Sequence, residues 1–252
     1  MLKTRIIPTL LYKDESLVKG VGFDSWRRVG AAMQSVKVYN LREVDELVFV
    51  DITATREHRR PDFATVDDLA DECFMPLTVG GGVRSVEDVR RLLQVGADKV
   101  ALNSAAVETP ELIGEIARRF GSQCVVVSID AKRHASGRYE VFTHSATRST
   151  GLDPSVFAKR VEQLGAGEIL LTSIDRDGTM AGYDLDLIGE VCRAVAIPVV
   201  ASGGAGSYDD MLQAIRKGGA SAVAAGAVFH FTQQTPLEAK RYLAKNGIAV
   251  RL

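Results

Sequence analysis

Short apolar runs recur along the chain, and amphipathic stretches with helical periodicity lie between them. The runs are rich in β-branched residues, which favours strands. Strands that are apolar throughout and alternate with helices are typical of a parallel sheet covered on both faces. The predicted strands are RIIPTLL (5–11), ELVFVDI (46–52), PLTVGGG (76–82), KVALNS (99–104), CVVVSID (124–130), EILLTSI (168–174), PVVASGG (198–204) and AVAAGAV (222–228).

Two of the intervening stretches carry clear helix signals. SVEDVRRLLQVGA spans 85–97, and TPELIGEIARRFG spans 109–121. In the second, Thr109 and Pro110 suit an N-cap and a first helical position, and Gly121 suits the end of the helix.

Eight strand and helix units in 252 residues predict one α/β domain over 1–252, a (β/α)8 TIM barrel. A doubly wound open sheet is the alternative. The first strand is not followed by the Gly-x-Gly-x-x-Gly turn of dinucleotide-binding folds, which makes that alternative weaker.

The second half of the chain repeats motifs of the first. This repeat predicts a two-fold pseudo-symmetric barrel with half-barrels of about 1–122 and 123–252. The connections after the first and fifth strands, 12–30 and 131–152, are the longest and are candidate lids. The matching motifs are GGGV (80–83) with GGAG (203–206), and GADKVALNSA (96–105) with GGASAVAAGA (218–227).

Alternate residues of each barrel strand point inward, and this parity predicts two polar layers. The lower layer is either a set of charges that neutralise one another or a gate across an axial passage. Small residues predicted between the layers favour the gate, because barrel interiors usually hold Val, Ile and Leu. The upper layer is Asn103, Asp130, Thr172 and Ser202; the lower is Arg5, Glu46, Lys99 and Glu168; the small residues between are Thr9, Thr78, Ala101, Ser128 and Ala224.

Two glycine-rich turns, VGGGV after the third strand and SGGAG after the seventh, lead towards helices. Backbone N–H groups in such turns bind phosphate. Each turn is paired with the end of the next strand, LNSA or AAGA, so two phosphate sites are expected on opposite sides of one mouth. A ligand phosphorylated at both ends would fit them; two merely tight turns are the alternative.

Asp130, Asp51, Asp177 and Lys19 are expected around this mouth. Two carboxylates kept in different ionisation states suit general acid–base catalysis, although any one alone is more often a salt-bridge partner or a cap.

The remaining titratable residues predict no metal site and no cofactor. The histidines lack ligand spacing and are expected to be structural or exposed, and the two acids of DRDG lack a third ligand. The histidines are His58, His134, His144 and His230.

A net charge of −1 with interspersed signs predicts neither nucleic acid nor membrane partners. The N-terminus has too short an apolar core for a signal peptide, and three well-separated cysteines suggest reduced thiols. A cytoplasmic protein is expected.

Several longer motifs resemble the cyclase subunit of imidazole glycerol phosphate synthase over essentially the whole chain. The resemblance implies a (β/α)8 barrel that receives ammonia from a separate glutaminase docked at the barrel bottom, in a heterodimer. The motifs are DELVFVDITA, TVGGGV, GADKVALNSAAVE, FGSQCVVVSIDAKR, GAGEILLTSIDRDGT, ASGGAG and VFHF.

The same resemblance assigns roles to individual residues. Asp98 matches a position that faces the glutaminase, and Gly226 stands where the family usually has serine. By the match, the ammonia gate is Arg5, Glu46, Lys99 and Glu168, and the phosphate ligands are Gly82, Asn103, Ser104, Ser202, Gly203, Gly204 and, by position, Gly226.

The chain departs from the family at the end of the first strand. There Leu11 replaces the acid that partners the one matching Asp130, while Lys13 and Lys19 remain in register. Leucine cannot transfer a proton, so ring closure should be impaired by roughly 10²–10⁴-fold. Leu11 and Thr172 are expected to line the substrate mouth. The pattern resembles cyclase-like paralogues associated with sugar amidation in surface-polysaccharide biosynthesis.

The preferred hypothesis is an ammonia-channelling, lyase-type synthase subunit that serves amidation of a phosphorylated sugar-type molecule. One alternative is a genuine cyclase of histidine biosynthesis, with Asp14 or Asp51 substituting for the lost acid. Another is a barrel without its own chemistry that activates and channels for its partners. The sister isomerase of histidine synthesis fits least, because it needs both acids and no four-charge gate.

Overall fold

The computed structural model describes residues 3–252, and its eight parallel strands close into a barrel. The first strand pairs with the last on one side and with the second parallel strand on the other. Closure confirms the (β/α)8 fold and excludes the open sheet. The barrel strands are β1 (Arg5–Lys13), β4 (Leu47–Asp51), β5 (Leu77–Gly80), β6 (Lys99–Leu102), β7 (Val125–Arg133), β10 (Glu168–Ser173), β11 (Val199–Ser202) and β12 (Ala222–Ala225).

The two long connections predicted as lids are largely β structure. Each extends a barrel strand as an antiparallel hairpin over the carboxyl end of the barrel. Since β1 and β7 have the same length and both carry such a hairpin, the pseudo-two-fold relation is visible in the backbone. The hairpin strands are β2 (Ser16–Val21), β3 (Asp24–Gly30), β8 (Tyr139–Thr143) and β9 (Arg148–Ser149).

The helices surround the barrel and bury their apolar faces against its outer surface. Both predicted helices are present; the second begins at Glu111, one residue later than expected, and ends at Gly121 with a positive φ. No helix within residues 3–252 is long and apolar enough to cross a bilayer. The helices are α1 (Ala32–Leu41), α2 (Phe63–Asp71), α3 (Val86–Gln94), α4 (Ser104–Glu108), α5 (Glu111–Phe120), α6 (Pro154–Leu164), α7 (Leu185–Ala194), α8 (Tyr208–Arg216), α9 (Ala227–Phe231) and α10 (Pro236–Lys245).

The barrel interior combines small and branched apolar side chains. Ala101 and Ala224, predicted as small residues between the two polar layers, lie there beside branched residues such as Ile7 and Leu170. The strand predicted over 124–130 begins one residue later, because Cys124 lies in a 3₁₀ turn before β7. The interior cluster is Ile7, Val48, Ala101, Val126, Leu170, Val200, Ala222 and Ala224.

A buried ion pair fixes the last helix to the bottom of the barrel. Lys240 of α10 lies 2.8 Å from Asp45 and donates a hydrogen bond to the carbonyl of Glu43. Asp45 in turn accepts a hydrogen bond from the Ile6 N–H at 2.9 Å. Both charged side chains are almost wholly buried, so loss of either would leave the other uncompensated.

We therefore expect Lys240→Ala to lower the free energy of unfolding by about 3 kcal/mol, because a carboxylate would stay buried without its cation. Urea denaturation followed by circular dichroism measures this. Lys245→Ala, on the exposed end of the same helix, is the control and should change stability by less than about 0.5 kcal/mol. Equal effects of the two substitutions would contradict this role for the pair.

Candidate active site

A deep cavity opens at the carboxyl ends of the barrel strands, where enzymes of this fold place their chemistry. The strand ends and the two hairpins form its walls. Fourteen of the side chains and turns predicted from the sequence are brought together here. They are Leu11, Lys19, Asp51, Gly82, Asn103, Ser104, Ser128, Asp130, Thr172, Asp177, Ser202, Gly203, Gly204 and Gly226.

Asp130 is the most perturbed acid of this cavity. It is buried on the inward face of β7, and its carboxylate accepts a hydrogen bond from Asn103 at 3.2 Å. Burial raises the pKa of Asp130 to about 7, and the charge of Asp177 adds to this, although hydrogen bonds from Ser128 and Thr172 oppose it. Near neutral pH this group can therefore both donate and accept a proton.

Lys19 and Asp177 form a buried ion pair that holds the first hairpin closed. The ammonium of Lys19 lies 2.6 and 2.7 Å from the two carboxylate oxygens of Asp177. The Gly22 N–H also donates to the backbone carbonyl of Asp177 at 2.9 Å. The loop after β10 therefore anchors the β2–β3 hairpin across the mouth.

Asp51 lines the cavity, but its carboxylate organises a turn. One oxygen accepts from the backbone N–H groups of Thr53 and Ala54, and the other from Arg59 at 3.0 Å. Asp14 lies exposed in the β1–β2 turn and is not part of the cavity wall. Asp14 is therefore not placed at the mouth, whereas Asp51 lines it with a carboxylate that is already hydrogen-bonded.

The two halves of the barrel carry different side chains at equivalent positions of the mouth. Leu11 pairs in register with Val50, whereas the equivalent Asp130 pairs with Thr172. Since β1 and β7 are four strands apart in a closed barrel of eight, these two walls are opposite. One wall is apolar and the other is polar.

The first glycine-rich turn contains Gly81 and Gly82 with positive φ, and α4 begins just after the neighbouring strand. The Gly82 N–H donates to the Thr55 hydroxyl at 3.2 Å. Ser104 is also engaged, since its hydroxyl donates to the side-chain oxygen of Asn103 at 3.2 Å and accepts from the His144 N–H at 3.1 Å. Binding of an anion by these two groups therefore requires exchange of existing hydrogen bonds.

The second turn places Gly203 and Gly204, both with positive φ, beside the start of α9. A Cβ on either would meet backbone atoms within 2.6 Å, so the turn requires glycine. Gly226 precedes α9, and a side chain there would meet the Thr9 carbonyl at 3.3 Å and the Lys19 stem at 3.6 Å. The glycine in place of the usual serine keeps the space beside Lys19 open.

The four charged residues predicted at the barrel bottom form one continuous network. Arg5 lies 2.5 Å from Glu46 and also pairs with Glu168, and Lys99 bridges the same two acids at 2.9 Å each. Burial alone would raise the pKa of Glu168, but Arg5 and Lys99 bring it below its usual value. The two acids are buried, whereas the cations are 25% and 19% exposed, so the cations are the more accessible members of the network.

Asp98 lies exposed at the same end of the barrel, where its carboxylate accepts a hydrogen bond from the Leu77 N–H at 2.8 Å. The acids of DRDG do not converge, because Asp175 accepts from the Arg133 N–H and Asp177 pairs with Lys19. No cluster of three possible metal ligands occurs within residues 3–252.

Sequence reasoning missed several cavity residues on the two hairpins. Phe23 and Trp26 of the first hairpin line the mouth, and so does Arg84 beside the first glycine turn. His144, expected to be structural or exposed, also lines it. Hairpin pairing brings Phe23, Trp26 and His144 over the mouth, and strand periodicity within the barrel carries no signal for them.

The raised pKa of Asp130 predicts a pH-dependent effect of Asp130→Asn on stability. A carboxyl whose pKa is higher in the folded state stabilises the fold at low pH, and that stabilisation is lost as pH rises from about 4 towards 7. Asp130→Asn cannot ionise at this position and does not lose that stabilisation. Its free energy of unfolding relative to that of the parent should therefore rise by up to about 1.4 kcal/mol per pH unit over this window. Urea denaturation at pH 5, 6 and 7 measures it, and a difference independent of pH would contradict the assignment.

A family model described as "Histidine biosynthesis protein" matches residues 5–235. The match covers all eight barrel strands and both glycine-rich turns. It agrees with the closed barrel and with the cavity at its carboxyl end. The chain therefore belongs to the histidine biosynthesis protein family.

Proposed function

We propose that this chain is the synthase subunit of a two-part glutamine amidotransferase, and that it passes ammonia from a glutaminase to a sugar-type substrate at its mouth. The observation that carries the proposal is the closed network of Arg5, Glu46, Lys99 and Glu168 across the barrel bottom. A stability role alone would not require four buried or half-buried charges on the barrel axis, because desolvation makes such groups costly.

The charge arrangement favours neutral ammonia over ammonium. Arg5 and Lys99 are the more exposed members and would repel an approaching cation, whereas a neutral molecule meets no such barrier. Because branched side chains such as Val126 and Leu170 fill the interior beyond the network, the network must loosen and the interior must rearrange during passage. A neutral solute loses less hydration free energy than an ion in that apolar space.

Exposed apolar side chains on the same face support a docked partner. Leu41 ends α1 at the barrel bottom and is 86% exposed, and Phe74, just before β5, is 84% exposed. Asn40 holds the two segments together, since its side chain accepts from the Phe74 N–H and donates to the Glu72 carbonyl. Exposed aromatic residues near an opening are typical anchors of protein interfaces.

The sugar assignment depends on the loss of symmetry at the mouth. Genuine cyclase chemistry would require a second proton-transfer group opposite Asp130, and Leu11 occupies that position. Asp51 is held by a turn and by Arg59, which argues against its acting as a substitute. A different phosphorylated substrate would fit the mouth, which retains Lys19, Asp130 and the two glycine turns.

Mixing with the cognate glutaminase should produce a stable complex and at least a tenfold rise in glutamine hydrolysis. Phe74→Ser should weaken association by at least about tenfold, because an interface anchor would be lost. Size-exclusion chromatography and a glutamate-release assay measure the two effects.

Val156→Ser is the matched control, since Val156 is also an exposed apolar residue but begins α6 at the opposite end of the barrel. It should leave association unchanged. If the parent chain neither binds the glutaminase nor alters its rate, the proposed coupling is wrong.

Leu11→Asp should restore ammonia-dependent turnover of the family's doubly phosphorylated ribosyl substrate, since Asp130 already supplies the opposite proton-transfer group. We expect at least a tenfold rise in rate with free ammonium, equivalent to about 1.4 kcal/mol of barrier lowering. Steady-state assays without glutaminase measure it.

Leu11→Asn has similar size and polarity but cannot transfer a proton, so it should give no rise. Strong cyclase activity in the parent protein would contradict the sugar-directed function. No rise in folded Leu11→Asp would show that further residues of the mouth have changed.

A further inference from the structure

The chain's single tryptophan lies at the mouth rather than in the core. Trp26 belongs to β3 and packs its indole over Gly20 of β2, where a Cβ would come within 2.9 Å of the ring. The indole is half-buried and lines the cavity. The absence of a side chain at Gly20 therefore leaves room for the ring.

Three further apolar side chains line the same cavity. Phe23 lines the cavity from the turn of the same hairpin, where its φ of 62° places it in the left-handed region. Leu11 and Val50, paired in register, lie on the barrel strands below. We call Leu11, Phe23, Trp26 and Val50 the apolar wall.

The barrel strands opposite Leu11 and Val50 are rich in hydrogen-bonding groups. Asp130 and Thr172 pair in register there, and Asn103 reaches Asp130 at 3.2 Å. Because the pKa of Asp130 lies near neutral pH, its carboxyl can donate or accept. A ligand that filled the mouth without satisfying these groups would incur the cost of burying them unpaired.

We propose that the apolar wall recognises one face of a saturated sugar ring, whose hydroxyl or amino groups on the other face bind the Asp130 side. This inference rests on the proposed sugar-directed function and specifies the substrate class. The C–H bonds of one pyranose face pack on the indole and Leu11, while a phosphate on the ring reaches a glycine turn. A planar aromatic ligand would stack on Trp26 but would turn its other apolar face towards Asp130, Asn103 and Thr172.

The test uses the fluorescence of Trp26, which reports binding without a label. N-acetylglucosamine 1-phosphate is the ring-bearing probe, glycerol 3-phosphate has the phosphate and hydroxyls without a ring, and inorganic phosphate has the anion alone. The ring-bearing probe should change the emission saturably at a concentration at least tenfold lower than glycerol 3-phosphate. Equal affinities for these two probes, or no saturable change with the ring-bearing probe, would overturn the proposal.

Two variants of Trp26, measured by isothermal titration calorimetry, separate aromatic packing from simple burial. Trp26→Leu should weaken binding of N-acetylglucosamine 1-phosphate at least tenfold while changing glycerol 3-phosphate binding less than twofold. Trp26→Phe should recover part of the loss. Equal weakening of both probes would assign Trp26 a merely structural role and overturn the proposal.

A separate measurement of glutaminase stimulation distinguishes failure of the apolar wall from failure of the proposed function. Stimulation is measured with the parent chain and without any sugar probe, so it reports on the docked face around Phe74 and not on the mouth. If the glutaminase is stimulated but the chain does not prefer the ring-bearing probe, only the proposal for the apolar wall is wrong. If ring selectivity is present but the glutaminase neither binds nor responds, the coupling function fails instead.

Discussion

Closure of the sheet is the constraint on which the rest of the molecule depends. Pairing of β1 with both β12 and β4 leaves no barrel strand with an unpaired edge and gives each barrel strand one inward face and one outward face. The inward positions at the two ends are then the places where polar side chains can meet solvent or one another. Hence the charged network lies at the bottom and the cavity at the top, with an apolar interior between them.

The two ends of the barrel differ in how their buried charges are compensated. At the bottom, two acids and two cations neutralise one another over distances of about 3 Å, which makes their burial tolerable. At the top, Lys19 is fully matched by Asp177, but Asp130 has an amide and hydroxyls as neighbours and no cation. Burial without a neighbouring cation raises the pKa of Asp130 and leaves it as the most available proton-transfer group of the mouth.

Duplicated architecture with unequal chemistry is the main feature of the mouth. The backbone keeps two glycine turns, two short helices and two hairpins in equivalent places. The side chains differ, since Leu11 and Val50 stand opposite Asp130 and Thr172. The first hairpin also carries Phe23 and Trp26 into the cavity, so the apolar lining is not confined to Leu11 and Val50.

The sequence by itself determined the eight strands, their parallel arrangement and the residues at each end, because strand periodicity and glycine positions are local signals. It also identified Leu11 as the departure from its family. The tertiary structure alone decided what depends on distant contacts: the branched side chains that fill the interior, the turn that occupies Asp51, and the hydrogen bonds already held by Gly82 and Ser104. It also decided that the long connections are hairpins carrying Trp26 and His144 over the mouth, because pairing with the barrel strands, and not local propensity, sets their path.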